Sequence, residues 1–399
     1  MSETPWLTVL GLGEDGLDGL SPASRQVLDR AEIVMGPSRH LSLIPKSNAE
    51  QIEWPAPFAD GLPILTGLRG RQTIVLASGD PFWFGAGSVI ARNFDAGEWT
   101  ALPGQSTFSL AAARLGWPLE DTLTFGLHAA PLTRLRPHLA QGLRAILLLR
   151  DGKAVAELAT YLGETGFADC TLHVMEALGG PRERARSVSL TEALLGTFEH
   201  PVCVGLDVAG TGRAFPKASG KPDDIFETDG QITKRPIRAL TLSALAPRRG
   251  EHLWDIGGGT GSISIEWLMC DPTLTATTIE PREDRVERIR RNADALGQDR
   301  LRVVQGIAPE ALVGLDQPDV VFIGGGLSAE LLNWLHANLR AGTRLVANAV
   351  TLESEAFLAA WHDKLGGDLL RIELAQAASL GPRRGWKSAY PVMQWSLTL

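Results

Sequence analysis

Apolar residues fall into short continuous runs separated by glycine-rich or polar turns, and between the runs lie stretches with helical spacing. The first run, Trp6 to Gly11, reads as a buried strand feeding Gly11-Leu12-Gly13-Glu14-Asp15-Gly16. Ser21 followed by Pro22 predicts an N-cap and first helical position, opening a helix through Ala31. Ile33 to Met35 predicts a second strand, and Thr73 to Ser78 a third that ends in Gly79-Asp80-Pro81. Leu102 leads into Pro103-Gly104-Gln105-Ser106, where Ser106 is placed to cap an alanine-rich helix from Phe108 to Leu115. Strands are also predicted at 145–149, 171–176 and 201–206. Val155, Leu158, Ala159 and Leu162 supply the i, i+3, i+4, i+7 stripe of a core helix. Strands alternating with helices predict an α/β fold.

From Ala209 to Gly230 the periodicity stops and glycine, proline and aspartate dominate. This predicts a first domain at 1–208, a linker at 209–228 and a second domain at 229–399. In the second domain a helix follows Thr233, strands are expected at 253–256, 274–279, 301–304, 320–323 and 344–347, and a helix runs from Glu283 to Leu296. On that helix Asp284 with Arg288 and Glu287 with Arg291 form i, i+4 pairs, which reads as a solvated face.

The densest glycine turn is Leu253-Trp254-Asp255-Ile256-Gly257-Gly258-Gly259-Thr260-Gly261, with helical spacing resuming at Ser262. Strand, tight loop and helix start bring backbone N–H groups toward a ligand, where a Cβ would obstruct. NAD, a flavin or S-adenosylmethionine (SAM) could use such a loop. Ser262 stands where a dinucleotide site wants its third glycine, and Glu280 ends the next strand, where it could accept from ribose hydroxyls. These two residues turn the reading toward SAM. Other strand ends, Gly306-Ile307-Ala308-Pro309-Glu310, Gly324-Gly325-Gly326 and Asn348-Ala349-Val350-Thr351-Leu352-Glu353, also carry small or polar residues, as a nucleoside crevice requires.

Length, 399 residues, suits two or three domains. A net charge of −8 disfavours a general nucleic-acid binder. Ala145 to Leu149 stops at Arg150, well short of a membrane span, and Met1 to Pro5 lacks signal-peptide character. A cytoplasmic protein without membrane partners is expected. Cys170, Cys203 and Cys270 are isolated, so neither a disulfide framework nor a metal site is indicated, and all three are expected to be buried. His128 and His252 read as structural.

With these residues in view, the second domain resembles the SAM-dependent part of the two-domain precorrin-6B methyltransferase family of cobalamin biosynthesis. The resemblance runs through Thr233-Lys234, Asp255 to Gly261, Gly306 to Glu310, Phe322 to Gly326 and Asn348 to Glu353. The first domain is similar to the tetrapyrrole (class III) methylases through Gly11-Leu12-Gly13, Ser78-Gly79-Asp80-Pro81 and Pro103-Gly104-Gln105-Ser106, although Glu14-Asp15-Gly16 stands where much of that superfamily has Pro-Gly-Asp. The resemblance implies a bipartite tetrapyrrole-methylase α/β domain followed by a Rossmann-like (class I) methyltransferase domain. It also implies two SAM sites. Thr233, Asp255, Gly257, Gly258, Gly259, Gly261, Glu280, Gly306, Ile307 and Ala308 would bind one, and Gly79, Asp80 and Ser106 the other.

The reaction implied is methylation of precorrin-6B at C5 and C15, with loss of CO2 from the C12 acetate to give precorrin-8. C5 would fall to the first domain, C15 and the decarboxylation to the second, and the protein would be a homo-oligomer. The substrate carries many carboxylates, so Lys234, Arg235, Arg238, Arg383, Arg384 and Lys387 are candidate anchors. The alternatives are a SAM-dependent methyltransferase acting on nucleic acid or another small molecule, and a SAM-binding module without chemistry.

Overall fold

The computed structural model describes residues 5–45 and 48–399; Met1 to Thr4, read above for signal-peptide character, lie outside the described residues. The chain divides into two compact units, residues 1–130 with 139–213 and residues 131–138 with 214–399. Among the described residues no helix is long and apolar enough to cross a membrane.

Unit 1 holds two five-stranded sheets. The first is parallel throughout, built from β1 (Leu7–Leu12), β2 (Ile33–Gly36), β3 (Glu50–Glu53), β4 (Thr73–Ser78) and β5 (Trp99–Leu102) in the order β3-β2-β4-β1-β5. β1 is buried along its whole length, as a strand with both faces covered must be, which is why its sequence is a continuous apolar run rather than an alternation. Ser21 and Ser106 cap the helices Pro22–Asp29 and Thr107–Leu115 by accepting the N–H of Ser24 and Ser109.

The second sheet orders β6 (Leu123–Gly126), β7 (Arg144–Leu148), β8 (Thr171–Glu176), β9 (Arg184–Ser189) and β10 (Val202–Asp207) as β6-β7-β10-β8-β9, and only β6 and β7 are parallel. β9, Arg-Ala-Arg-Ser-Val-Ser, is an exposed edge without an apolar run, so no sequence period announces it.

Unit 2 is built on a seven-stranded sheet: β11 (His252–Ile256), β12 (Thr275–Glu280), β13 (Arg302–Gln305), β14 (Val320–Ile323), β15 (Arg344–Ala349), β16 (Asp368–Ile372) and β19 (Val392–Thr398), ordered β13-β12-β11-β14-β15-β19-β16. The first five are parallel, and β19 runs antiparallel between β15 and β16. β17 (Ala375–Leu380) and β18 (Arg383–Ser388) form a separate hairpin. One apolar layer packs Trp267, Leu253, Val320 and Ile289 together, and another packs Trp254, Val321, Leu335 and Trp395.

The stretch 209–228 differs from the linker expected of it. Residues 214–228 belong to unit 2, where Phe215 and Phe226 are core residues. The carboxylate of Glu266, itself buried, accepts the backbone N–H of Gly220 at 2.7 Å and of Lys221 at 2.8 Å. Two aromatics and one buried acid hold this segment, a form of anchoring that leaves no periodicity in the sequence.

Candidate functional site

In unit 2 the chain runs from β11 outward through β12 and β13, then returns to β14 on the other side of β11. Loops leaving β11 and β14 therefore part at their carboxyl ends and open a crevice. A cavity of about 480 Å³ lies there, lined by Thr233, Asp255, Gly257, Gly258, Gly259, Glu280, Gly306, Ile307 and Ala308 among others. The register pairs Ile256 with Ile279, which sets Glu280 level with the glycine loop. Glu280 accepts the N–H of Gly259 at 2.9 Å and of Arg282 at 3.1 Å, one on each carboxylate oxygen. Each oxygen keeps a lone pair for a further donor.

Gly259 has φ +60°, and a Cβ there would meet no atom within 4 Å. The backbone is thus held in the left-handed region beside open space, a cradle that a side chain would fill. Gly257 does something else: its Cβ would lie 2.6 Å from Gly325 Cα, so the loops after β11 and β14 touch backbone to backbone. Asp255 is fully buried below the loop and accepts from Ser264 Oγ at 2.6 Å. Burial pushes its carboxyl up to about 6. Gly261 is not among the lining residues; it adopts φ +75° as the N-cap of the helix Ser262–Cys270.

Several lining residues escaped the sequence reading, among them Gln231 and Arg285, while Phe322 lines the cavity at the head of the Phe322 to Gly326 stretch. Of Arg288 and Arg291, expected on a solvated face, Arg291 is exposed but Arg288 is largely covered, as is Arg285, because the chain before the helix Arg235–Leu245 folds over them. Arg285 Nε donates to Asp229 at 2.9 Å, and Arg291 pairs with Glu227. The segment 227–233 is thereby held along one wall of the cavity.

The carboxylate anchors separate. Arg238 is wholly buried and is not an anchor: its Nε donates to Glu266 at 2.6 Å, and the rest of the guanidinium bonds Thr233 O, Lys221 O and Asp223. The helical spacing that turns Ile237 inward carries Arg238 and Thr241 with it. Arg383, Arg384 and Lys387 lie exposed on β18 and line neither cavity. Lys234 and Arg235 are exposed directly after Thr233, which does line it. Cys270, expected inside, is exposed.

Unit 1 carries a smaller cavity of about 300 Å³, also beyond strand ends, lined by Asp80, Trp83, Gly104, Gln105, Ser106 and one face of the helix that Ser106 caps. Ser109, Leu110 and Ala113 supply that face, and their spacing from Ser106, i+3, i+4 and i+7, was a legible signal. Asp80 Oδ1 accepts the N–H of Phe82 at 2.8 Å. Gly79 does not line the cavity; its carbonyl accepts the N–H of Gly104 at 3.0 Å, which joins the loops after β4 and β5.

Two family models match along the chain, one described as tetrapyrrole (corrin/porphyrin) methylases over residues 7–194 and one as a precorrin methyltransferase domain over residues 224–399. A precorrin-6Y C(5,15)-methyltransferase (decarboxylating) from Sinorhizobium sp is 48% identical over 400 residues, 99% of this chain and 97% of that relative. The chain belongs to this family.

Members of the precorrin-6Y methyltransferase family are SAM-dependent, decarboxylating C-methyltransferases of cobalamin biosynthesis, and the chain is one. A cobalt-precorrin-6B C(15)-methyltransferase (decarboxylating) from Salmonella typhimurium is 32% identical over 166 residues, 40% of this chain and 85% of the relative. The solved C-terminal domain of a precorrin-6Y C5,15-methyltransferase from Rhodobacter capsulatus is 55% identical, with a TM-score of 0.45, covering 46% of this chain and all of that domain.

Proposed function

We propose that unit 1 methylates precorrin-6B at C5, and that unit 2 methylates C15 and removes CO2 from the C12 acetate, giving precorrin-8, with one SAM site in each unit. What carries this reading is the presence of two separate cavities, each at the carboxyl ends of parallel strands and each inside a different family domain. A C(15)-specific relative that matches only 40% of the chain supports separable activities. The reading places the protein in the cytoplasm as a homo-oligomer.

The residues of unit 2 fit the donor. Glu280 has lone pairs for two ribose hydroxyls, the open space at Gly259 admits a ligand against the backbone, and Gly306 to Ala308 close the end beyond Glu280. When bound, SAM supplies a methyl group already activated on a sulfonium, so the chain needs no nucleophile of its own. Its task is to hold a ring carbon in line within a site that excludes water. In this reading the donor lies over β11, β12 and β13, and the β14 and β15 side, with Gly325 and Val350, takes the macrocycle. Phe322 and Val350 supply an apolar wall there, against which a carboxylate loses its hydration before CO2 departs. The conjugated macrocycle takes the electron pair.

The test uses the full chain with precorrin-6B and methyl-labelled SAM, and NMR to locate the new methyl groups. Gly259→Arg should lose C15 methylation and CO2 release while keeping C5 methylation. Ser109→Trp, which fills the cavity of unit 1, should do the reverse. If both variants lose the same methyl group, the division of labour is wrong.

A further inference from the structure

Beside the cavity of unit 1 lies a charged cluster that methyl transfer itself does not use. Glu14, in the turn after β1, is buried, with 8% of its surface exposed. Its carboxylate accepts from two guanidiniums: Arg39, in the short helix Ser38–Ser42 after β2, and Arg182 at 3.2 Å, in the turn between β8 and β9. Arg39 reaches further, its Nη2 donating to Ser78 Oγ at 2.9 Å and meeting His40 Nε2 at 2.7 Å. Ser78 ends β4 and directly precedes Gly79-Asp80, and Asp80 lines the cavity. A Cβ on Gly180 would fall 2.6 Å from that of Glu14, so the segment carrying Arg182 is packed against the first turn of the chain.

The charges do not balance. Two guanidiniums share one carboxylate, and the nearby imidazoles are held neutral: burial and then the charge of Arg39 push His40 down to about 3, and the same two causes lower His200. Burial and the proximity of Arg182 bring Arg39 down to about 10, still cationic at neutral pH. Asp151, the other acid near His200, is paired with Arg150. Among the described residues Arg182 bonds only to Glu14, and its side chain is 56% exposed. It is therefore a guanidinium tethered through one nitrogen, with its other donors free, beside a second cation. Such an arrangement suits a further carboxylate.

We propose that Arg182, tethered by Glu14 with Arg39 behind it, is the subsite for one peripheral carboxylate of the tetrapyrrole in unit 1, and that it sets which edge of the macrocycle meets the methyl donor. The inference rests on the reading that unit 1 methylates that substrate. A ring bearing similar acetate and propionate arms on every side can dock in several rotations, and one tethered cation beside the donor cavity separates them. Arg182 touches the substrate; Glu14 and Arg39 are positioning residues. The Glu-Asp-Gly sequence that replaces Pro-Gly-Asp after β1 thereby acquires a use.

The test is made in the full chain carrying Gly259→Arg, so that only unit 1 turns over. Arg182→Ala should raise KM for precorrin-6B in C5 methylation about tenfold, with a smaller change in kcat. Arg182→Lys should recover part of the loss, and Glu14→Gln should lie between. The dependence of KM on ionic strength should flatten in Arg182→Ala. In protein loaded with S-adenosylhomocysteine, titration followed by the tetrapyrrole's absorbance should show the same weakening without any turnover. Unchanged KM and unchanged tetrapyrrole affinity in Arg182→Ala would overturn the subsite, as would a variant that only melts earlier. If the parent Gly259→Arg chain gives no C5 methylation, the reading of unit 1 fails and the subsite with it.

Discussion

Glu280 Oε2 accepts the backbone N–H of Gly259 at 2.9 Å, so the acid that ends β12 also fixes the glycine loop that follows β11. Glu280→Gln keeps the shape but turns one acceptor into a donor facing a backbone N–H. With one SAM site in each unit, as proposed, the site in unit 2 should weaken about tenfold to a hundredfold, as expected when a buried partner is mismatched. Calorimetry should then resolve one site with the parent affinity and one without; two unaltered sites would remove Glu280 from the donor pocket.

Gly325 has room for a side chain that the protein itself does not fill. A Cβ would touch Gly257 Cα at 3.6 Å, ordinary contact, and the backbone is not left-handed. Gly325→Leu should fold and bind SAM normally while lowering kcat/KM for C15 methylation and CO2 release about tenfold or more. Full activity in this variant would move the macrocycle away from the β14 side.

Arg238 tests the correction made to the expected anchors. Truncation to alanine leaves Glu266 buried and opposed only by backbone N–H groups, which should cost unit 2 about 3–5 kcal/mol in denaturant unfolding. KM for precorrin-6B at C15 should not move at temperatures where the variant is folded. A raised KM with parental stability would restore Arg238 as a substrate contact.

Asp255 predicts a pH dependence. Burial pushes its carboxyl to about 6 from an ordinary 3.8, the hydrogen bonds from Ser264 oppose the rise, and the charge of Glu280 adds to it. A pKa raised in the fold favours the protonated form, so this contribution is complete below 3.8 and is lost as pH climbs through about 6. Asp255→Asn is neutral throughout. Its stability relative to the parent should rise by about 3 kcal/mol between roughly pH 4 and pH 7 in urea unfolding without SAM. A flat difference across that window would show Asp255 ionised without cost.

Particular residues show what the sequence disclosed. The run Leu253 to Gly261 and the acid at 280 are a strand, a turn and a strand end, each dictated by its neighbours in the chain, and the structure brings them together as expected. Arg238 misled because an exposed cation and a cation paired with a buried acid at position 266 look alike until the fold brings them together. Arg285 escaped for the same reason, its partner Asp229 lying 56 residues away. β9 and the hairpin of β17 and β18 are mostly exposed, and exposed strands carry no apolar alternation to read.

β19 has a consequence for biosynthesis. Residues 392–398 occupy an interior place in the sheet, between β15 and β16, although they emerge from the ribosome after the other six strands of that sheet. Until then β15, Arg-Leu-Val-Ala-Asn-Ala, presents an unpaired and mostly apolar edge one strand away from the Gly324 to Gly326 turn. A nascent unit 2 can assemble its glycine loop early, but it stays open to strand-to-strand aggregation along β15 until its last strand is released. Slow translation or premature release within this stretch should therefore yield aggregates, not a soluble enzyme lacking one edge.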